Sequence, residues 1–168
     1  AVYYTAIKGM KIGLFDVTDV ANPKELFKEV IGDRGTESDL LGVHKALLYD
    51  KARNLFAFPV TVSEVKSDLL NEFMGGSRSG QQGEPVFQGA YVYTLDLENG
   101  FKLKGKVTHY TPENFKKYGD YFSYDDRYNI KRIVSIGDYL YTVSLGMLKA
   151  VKREDMSEAK MLDLQLSE

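Results

Sequence analysis

The apolar residues of this chain fall in short runs, some alternating with polar residues and some continuous, rich in Val, Ile, Tyr, Phe and Thr and bounded by Gly, Asp or Asn. A period of two, interrupted at short intervals by turn formers, predicts strands and not helices. Eleven strands are expected, over residues 2–7, 11–17, 24–31, 46–50, 55–62, 89–97, 101–109, 133–136, 139–145, 147–151 and 159–166. The connections at 50–54, 98–100 and 137–138 are short and polar, as antiparallel hairpins require, so neighbouring strands should pair in sequence order. Two stretches depart from this pattern. Residues 63–73 (SEVKSDLLNEF) begin with an N-cap candidate, Ser63, and space Val65, Leu69 and Phe73 four apart, which predicts a short amphipathic helix leading into a Gly/Ser/Gln-rich excursion over 75–85. Residues 111–119 place Thr111 as cap, Pro112 in the first turn, Glu113 at the positive end and Gly119 as the stop, which predicts a helix of one or two turns.

The segments 11–30, 91–107 and 147–164 share one layout: an apolar strand, a polar turn carrying Asp or Glu, and a second strand. A different, more apolar hairpin precedes the second and third copies, at 44–62 and 133–145, so that Leu55 corresponds to Leu140 and Asp96 to about Lys152. Alternating hairpins of two kinds make four-stranded units, with the more buried strand expected nearest a central axis: the blades of a β-propeller. The fold class expected is therefore all-β, antiparallel four-stranded blades of a partial β-propeller with one or two short helices in long loops. As a single domain, it divides into an outer half-blade at 1–31, a blade at 44–109 with an inserted loop at 63–88, and a blade at 130–166. A repeat array with uncapped ends exposes apolar faces and free strand edges, so the remainder of a propeller or another copy is expected at the open blades.

Composition narrows the function. With 168 residues, 43% hydrophobic, and 22 Lys plus Arg against 24 Asp plus Glu, the chain can bury a core and lacks the basic excess that nucleic-acid binding leaves. There is no cysteine and there are two histidines, His44 and His109, which excludes thiolate and multi-histidine metal centres built from this chain alone. No run approaches the roughly 20 apolar residues of a membrane-spanning helix. Ala1 follows no Met or signal-like segment, which reads as a processed or trimmed piece. The absence of Cys and the Lys and Glu content are compatible with a heat-adapted source.

Several residues carry candidate chemistry. His44 and His109 sit at strand boundaries, where each would serve as a base or ligand, or, by the preferred reading, would tie neighbouring turns by hydrogen bonds. The glycine-bounded loop 32–39 gathers Asp33, Arg34, Glu37 and Asp39, a carboxylate-rich set suited to calcium; it lacks the D-x-D-x-D-G spacing, and a hydrogen-bonded loop with Asp33 paired to Arg34 or His44 is preferred. Between Tyr110 and Tyr128, seven aromatics alternate with Asp120, Asp125, Asp126 and Arg127. Tyr118, Asp120, Tyr121, Tyr124, Asp125 and Arg127 would bind a peptide or glycan, or the same rings would form a satellite core over the blade. Adjacent Asp125 and Asp126 point to opposite faces of an extended strand and cannot flank one bond together, whereas Asp120 and Asp125 could. Lys102, Lys104 and Lys106 alternate along one strand as its solvent face.

Specific residues carry a family resemblance. Residues 9–25 (GMKIGLFDVTDVANPKE) and 31–36 (IGDRGT), then 44–49 (HKALLY), 55–60 (LFAFPV), 88–93 (QGAYVY), Thr108-His109 and 136–144 (IGDYLYTVS), resemble in order the prokaryotic secreted proteins that carry a C-terminal β-propeller domain. The chain departs where that pattern places Arg-Ser before the Ile-Gly-Asp hairpin and has Ile133-Val134-Ser135 instead. The resemblance implies a propeller fold and an extracytoplasmic, secreted or cell-surface setting, and brings no catalytic residues with it. The expectation is a non-enzymatic binding or scaffold module that recognises a protein, peptide or glycan, without nucleic acid and without a cofactor unless calcium occupies the acidic loop. The alternative is a hydrolase or lyase domain using Asp and His on the propeller face.

Overall fold

The computed structural model describes residues 9–66, 83–119 and 127–164, with backbone alone at 117–119. Within them lie β1 (Met10–Asp16), β2 (Lys24–Ile31), β3 (Leu48–Asp50), β4 (Leu55–Glu64), β5 (Glu84–Asp96), β6 (Gly100–Val107), α1 (Pro112–Gly119), β7 (Arg132–Ile136), β8 (Tyr139–Val143), β9 (Met147–Lys152) and β10 (Glu158–Asp163). They form a two-stranded sheet β1-β2, a four-stranded sheet β3-β4-β5-β6 and a four-stranded sheet β7-β8-β9-β10, each antiparallel with neighbours in chain order. This is the all-β, partial-propeller arrangement that the hairpin repeat predicted. The expected strand at 2–7 lies outside the described residues.

The three Asp- or Glu-bearing turns behave alike. Asp16, Asp96 and Asp155 each accept the backbone N–H two residues on, from Thr18, Glu98 and Ser157, at 2.9, 2.7 and 2.9 Å. The Thr18 and Ser157 hydroxyls first and these N–H bonds second lower the pKa of Asp16 and Asp155, and for Asp96 the Glu98 N–H leads, so the turn chemistry repeats with the hairpin.

The middle sheet is covered on both faces. One face (Leu55, Ala57, Ala90, Val92 and Val107) packs on Ile130, Ile133, Leu140 and Val151 of the third unit. The other (Phe56, Phe58, Val60, Val62, Tyr91 and Tyr93) packs on Met10 and Ile31 of the first sheet. Phe56 and Phe58 lie nearly parallel to the Tyr93 ring, with interplanar angles of 11° and 7°. The Tyr93 hydroxyl, buried and pushed up in pKa chiefly by desolvation, donates to Glu29 Oε1 of β2 at 2.8 Å. The most buried strands are consequently β4 and β5, in the middle of the sheet.

Pro59 sits inside this buried strand at no hydrogen-bonding cost. The Thr61 N–H and C=O both bond Glu37, so the odd-numbered backbone groups of β4 point away from β5. The pairing of β3 with β4 reaches only Ala57, and the Pro59 carbonyl accepts the Ser38 hydroxyl at 2.5 Å. The missing proline N–H is thus one that no strand would have received.

Other expectations are corrected by the same packing. Ser63 and Glu64 continue β4, so Ser63 is no helix cap; the remainder of that expected helix, from 67 on, lies outside the described residues. Residues 84 and 85, expected in the excursion, begin β5, because they pair with Glu64 and Ser63. A bulge in β6 opposite Val92 and Tyr93 leaves Lys104 as the extra residue; Lys102 then pairs with Thr94 and Lys106 with Tyr91, on opposite faces, so the three lysines do not form one solvent face. Helix α1 matches its prediction, with the Thr111 hydroxyl accepting the Asn114 N–H at 3.1 Å.

Phe58→Ala should cost about 3–5 kcal/mol and Tyr93→Phe, which strands the Glu29 carboxylate, about 1–2 kcal/mol. Urea unfolding should rank them in that order, and two near-neutral results would contradict the core described above. Gly89→Ala should also destabilise, since its Cβ would lie 2.1 Å from the Val107 carbonyl oxygen and force β5 and β6 apart.

Candidate functional site

The turns β3–β4, β5–β6, β7–β8 and β9–β10 gather at one end, and the long connections 32–47, 65–83 and 108–131 all leave from the other, where the short β8–β9 turn at 144–146 also lies. That second end also carries the candidate residues. Gly32, at φ 61°, reverses the chain after β2; a Cβ there would meet the Thr36 hydroxyl at 2.2 Å. The loop is then fastened to β4 from both sides. Thr36 Oγ1 accepts the Ser63 N–H at 3.1 Å and donates to the Ser63 carbonyl at 3.3 Å, while the Ser63 hydroxyl donates to the Gly35 carbonyl at 3.0 Å.

Within this loop the acids have separate partners. Asp33 accepts the Val65 N–H at 2.9 Å, and Asp39 pairs with Lys131 at 3.3 Å. The Arg34 carbonyl accepts the Gly83 N–H at 2.7 Å. Among the described residues no group of three or more His, Asp or Glu is placed to hold a metal ion. His44 lies in a single 3-10 turn (His44–Ala46) on the surface, and β3 begins only at Leu48, two residues later than expected.

His109 is buried, two residues beyond β6. Its Nδ1 lies 2.9 Å from Ser144 Oγ and its Nε2 3.0 Å from Thr142 Oγ1, joining the middle sheet to the third. A Ser–His contact of this length invites comparison with a nucleophile and its base. The hydrogen-bond network argues otherwise. Ser144 donates to the Arg127 carbonyl in a short bond and accepts the Met147 N–H at 3.1 Å. The Nδ1–H of a neutral His109 therefore donates to Ser144, and Nε2 accepts from Thr142, an assignment that follows from the partners. Burial first, and the nearby Lys149 ammonium second, hold the ring at a pKa of about 4. Lys149 is itself fixed, donating to the Thr108 carbonyl at 2.8 Å and pairing with Glu158 at 3.1 Å.

Beside this latch, Gln88 clamps the segment entering β7: its Oε1 accepts the Ile130 N–H at 3.2 Å and its Nε2 donates to the Ile130 carbonyl at 3.4 Å. Glu37, Ser38, Asp39, Gln88, Asn129 and Lys131 surround a polar hollow of about 80 Å³ at the same end. Tyr110 donates to Asn129 Oδ1 at 2.8 Å and packs its ring on Phe115 and Tyr128, at 5.6 and 5.3 Å between centroids. The described part of the aromatic segment is thus a small cluster over the blade. Arg127 is exposed and lies 3.6 Å from Asp163. The Tyr118 side chain and residues Asp120, Tyr121, Tyr124, Asp125 and Asp126 lie outside the described residues.

Sequence reasoning did not find Gln88, Thr142, Ser144 or Lys131. The polar alternation of Thr142 and Ser144 inside an apolar strand was the available signal, but nothing local links it to a histidine 33 and 35 residues earlier.

Stacked antiparallel sheets, each built from hairpins in chain order with long connections collected at one end, define a propeller-type protein. A family model for the Beta propeller domain matches residues 2–156, and the chain belongs to that family. No curated protein and no solved structure matches it.

Because the folded pKa of His109 lies below the ordinary 6.5, the stability contributed by the neutral ring is complete above pH 6.5 and is lost as pH falls from there through 4. Urea midpoints of the wild type should decline between pH 6.5 and 5, where most carboxylates remain ionised. His109→Gln should be less stable at pH 7 and flatter across that window; an unchanged slope would exclude His109 as its source.

Proposed function

We propose that this chain is a non-enzymatic binding module of an extracytoplasmic propeller protein, recognising a protein, peptide or glycan through the end that carries the long connections. The observation that carries this reading is the asymmetry of the fold: short turns at one end, and at the other every long connection together with the polar hollow between Glu37 and Lys131. Sites are commonly carried on loops held by a rigid scaffold. The aromatic and acidic segment containing Tyr118, Asp120, Tyr121, Tyr124, Asp125 and Arg127 belongs to a connection of that end. The family resemblance supports a secreted or cell-surface setting. Among the described residues no helix is long and apolar enough to cross a membrane.

The hydrolase or lyase reading loses one of its two histidines, since both ring nitrogens of His109 are engaged and its pKa keeps it neutral. The outer sheets also suggest partners. Register places Val134, Ile136, Tyr139, Tyr141, Val143, Leu148 and Leu162 on the outward face of the third sheet, and Phe15, Leu26 and Val30 are exposed on the first. We assign these faces to further propeller strands or to another copy of this chain.

Glycan and peptide arrays probed with the chain should give binding that Arg127→Ala and Lys131→Ala weaken about tenfold, at an unchanged melting temperature. Turnover of an ester or glycoside that His44→Ala or Asp120→Asn abolishes, again without loss of stability, would establish the enzyme reading instead. With Asp33 and Asp39 already partnered, added calcium should leave the melting temperature unchanged; a rise of several degrees would assign the acidic loop to the ion.

A further inference from the structure

The outward face of the third sheet is apolar at its centre and cationic at its margins. Register puts Arg132 opposite Val143, Lys160 opposite Ala150 and Lys152 opposite Tyr139, so these three cations share a face with the apolar residues assigned above to a partner. Val134 and Ile136 on the same face are 43% and 61% exposed, so it lies open to water. The acids of these strands, Glu158 and Asp163, stand opposite Val151 and Met147 on the inward side. The outward positions of β7 to β10 therefore carry three positive charges and no negative one. Among the described residues none of the three cations forms a salt bridge.

Where the middle unit meets the third, cations are answered across the junction. Lys131 pairs with Asp39 at 3.3 Å, Lys104 donates to the Glu154 carbonyl at 2.8 Å, and Lys149 donates to the Thr108 carbonyl at 2.8 Å. A partner covering the outward face has to answer Arg132, Lys152 and Lys160 in the same way, because a cation taken out of water without an acceptor or counter-charge is strongly unfavourable. A second copy of this chain lacks the groups to do so. The outward side of its first sheet carries Lys11, Lys28 and Glu25, and both lysines already pair with that one glutamate. Contact between two third sheets would set three cations against three.

We propose that the outward face of the third sheet docks a sheet of different sequence, apolar at its centre and edged by Asp or Glu opposite Arg132, Lys152 and Lys160. This rests on the assignment of the face to further propeller strands or another copy, and decides between them: the occupant is a set of further strands with an acidic edge. The cations select by repulsion as well as attraction, since they turn away the two cationic faces of a second copy while the apolar centre supplies the contact area.

Two backbone-cyclised β-hairpin peptides test the assignment, each with one face of Val and Tyr, the first edged by Glu and the second by Lys at the same positions. Titrated calorimetrically into the whole chain at low ionic strength, the Glu-edged hairpin should bind at least about tenfold tighter than the Lys-edged one and lose that advantage as salt is added. Lys152→Glu combined with Lys160→Glu should reverse the preference, at the melting temperature of the wild type because both lysines are exposed. No self-association sensitive to Ile136→Lys should appear on sedimentation of the chain alone, and vesicles of phosphatidylcholine and phosphatidylglycerol should not be bound. Equal binding of the two hairpins, a preference unchanged by the charge reversal, or self-association that Ile136→Lys abolishes overturns the acidic partner and leaves the broader assignment of the face standing. Binding of neither hairpin by a chain that stays single, or binding of vesicles in place of hairpins, overturns both.

Discussion

Burial of one sheet from both sides governs the structure. The strands β4 and β5 can be apolar nearly throughout because a sheet lies against each of their faces, and they pair with each other over nearly their whole length while β3 and β6 cover part of their outer edges. A strand with one wet face would alternate, and a strand with a free edge would invite pairing with other chains. Removing either neighbouring sheet would leave Phe56, Phe58 and Tyr93, or Leu55, Ala57 and Val92, against water. The sheets are therefore mutually dependent, in the manner of repeats that bury their faces only against one another.

Apolar contact alone would let such layers slide. Directional bonds set their relative position: Tyr93 to Glu29 between the first and second sheets, and Gln88 to Ile130 with His109 to Thr142 and Ser144 between the second and third. All are buried or half-buried, so each would leave an unsatisfied group if broken, and each belongs to residues far apart in sequence. The histidine is suited to this work because a neutral ring offers one donor and one acceptor on opposite sides. The same use removes it from acid-base chemistry at neutral pH.

Much of the architecture was legible in the chain. Hairpins announced themselves by turn residues, the repeat was visible through its Asp-bearing turns, and Thr111 to Gly119 carried both helix signals. What misled was local reasoning about positions governed by distant partners. Ser63 has the chemistry of a cap but spends its hydroxyl on Gly35, and the lysines of β6 alternate in sequence while a bulge reverses their faces. The candidate residues divide likewise. Asp33, Asp39 and His109 were recognisable as noteworthy by type, yet their partners Val65, Lys131 and Ser144 are 32, 92 and 35 residues away, beyond the reach of spacing arguments.

Pro59 has a further consequence, for the chain before it has folded. The run Leu55–Val62 (LFAFPVTV) combines aromatic and β-branched residues without a charge, the composition of segments that stack into intermolecular cross-β ladders. A proline at its middle cannot donate to such a ladder, in which every backbone N–H is needed by a neighbouring copy. The native sheet loses nothing, because the N–H would have pointed past the end of β3. One residue thus permits the folded pairing and obstructs the aggregated one, which guards the most apolar strand of the protein during synthesis.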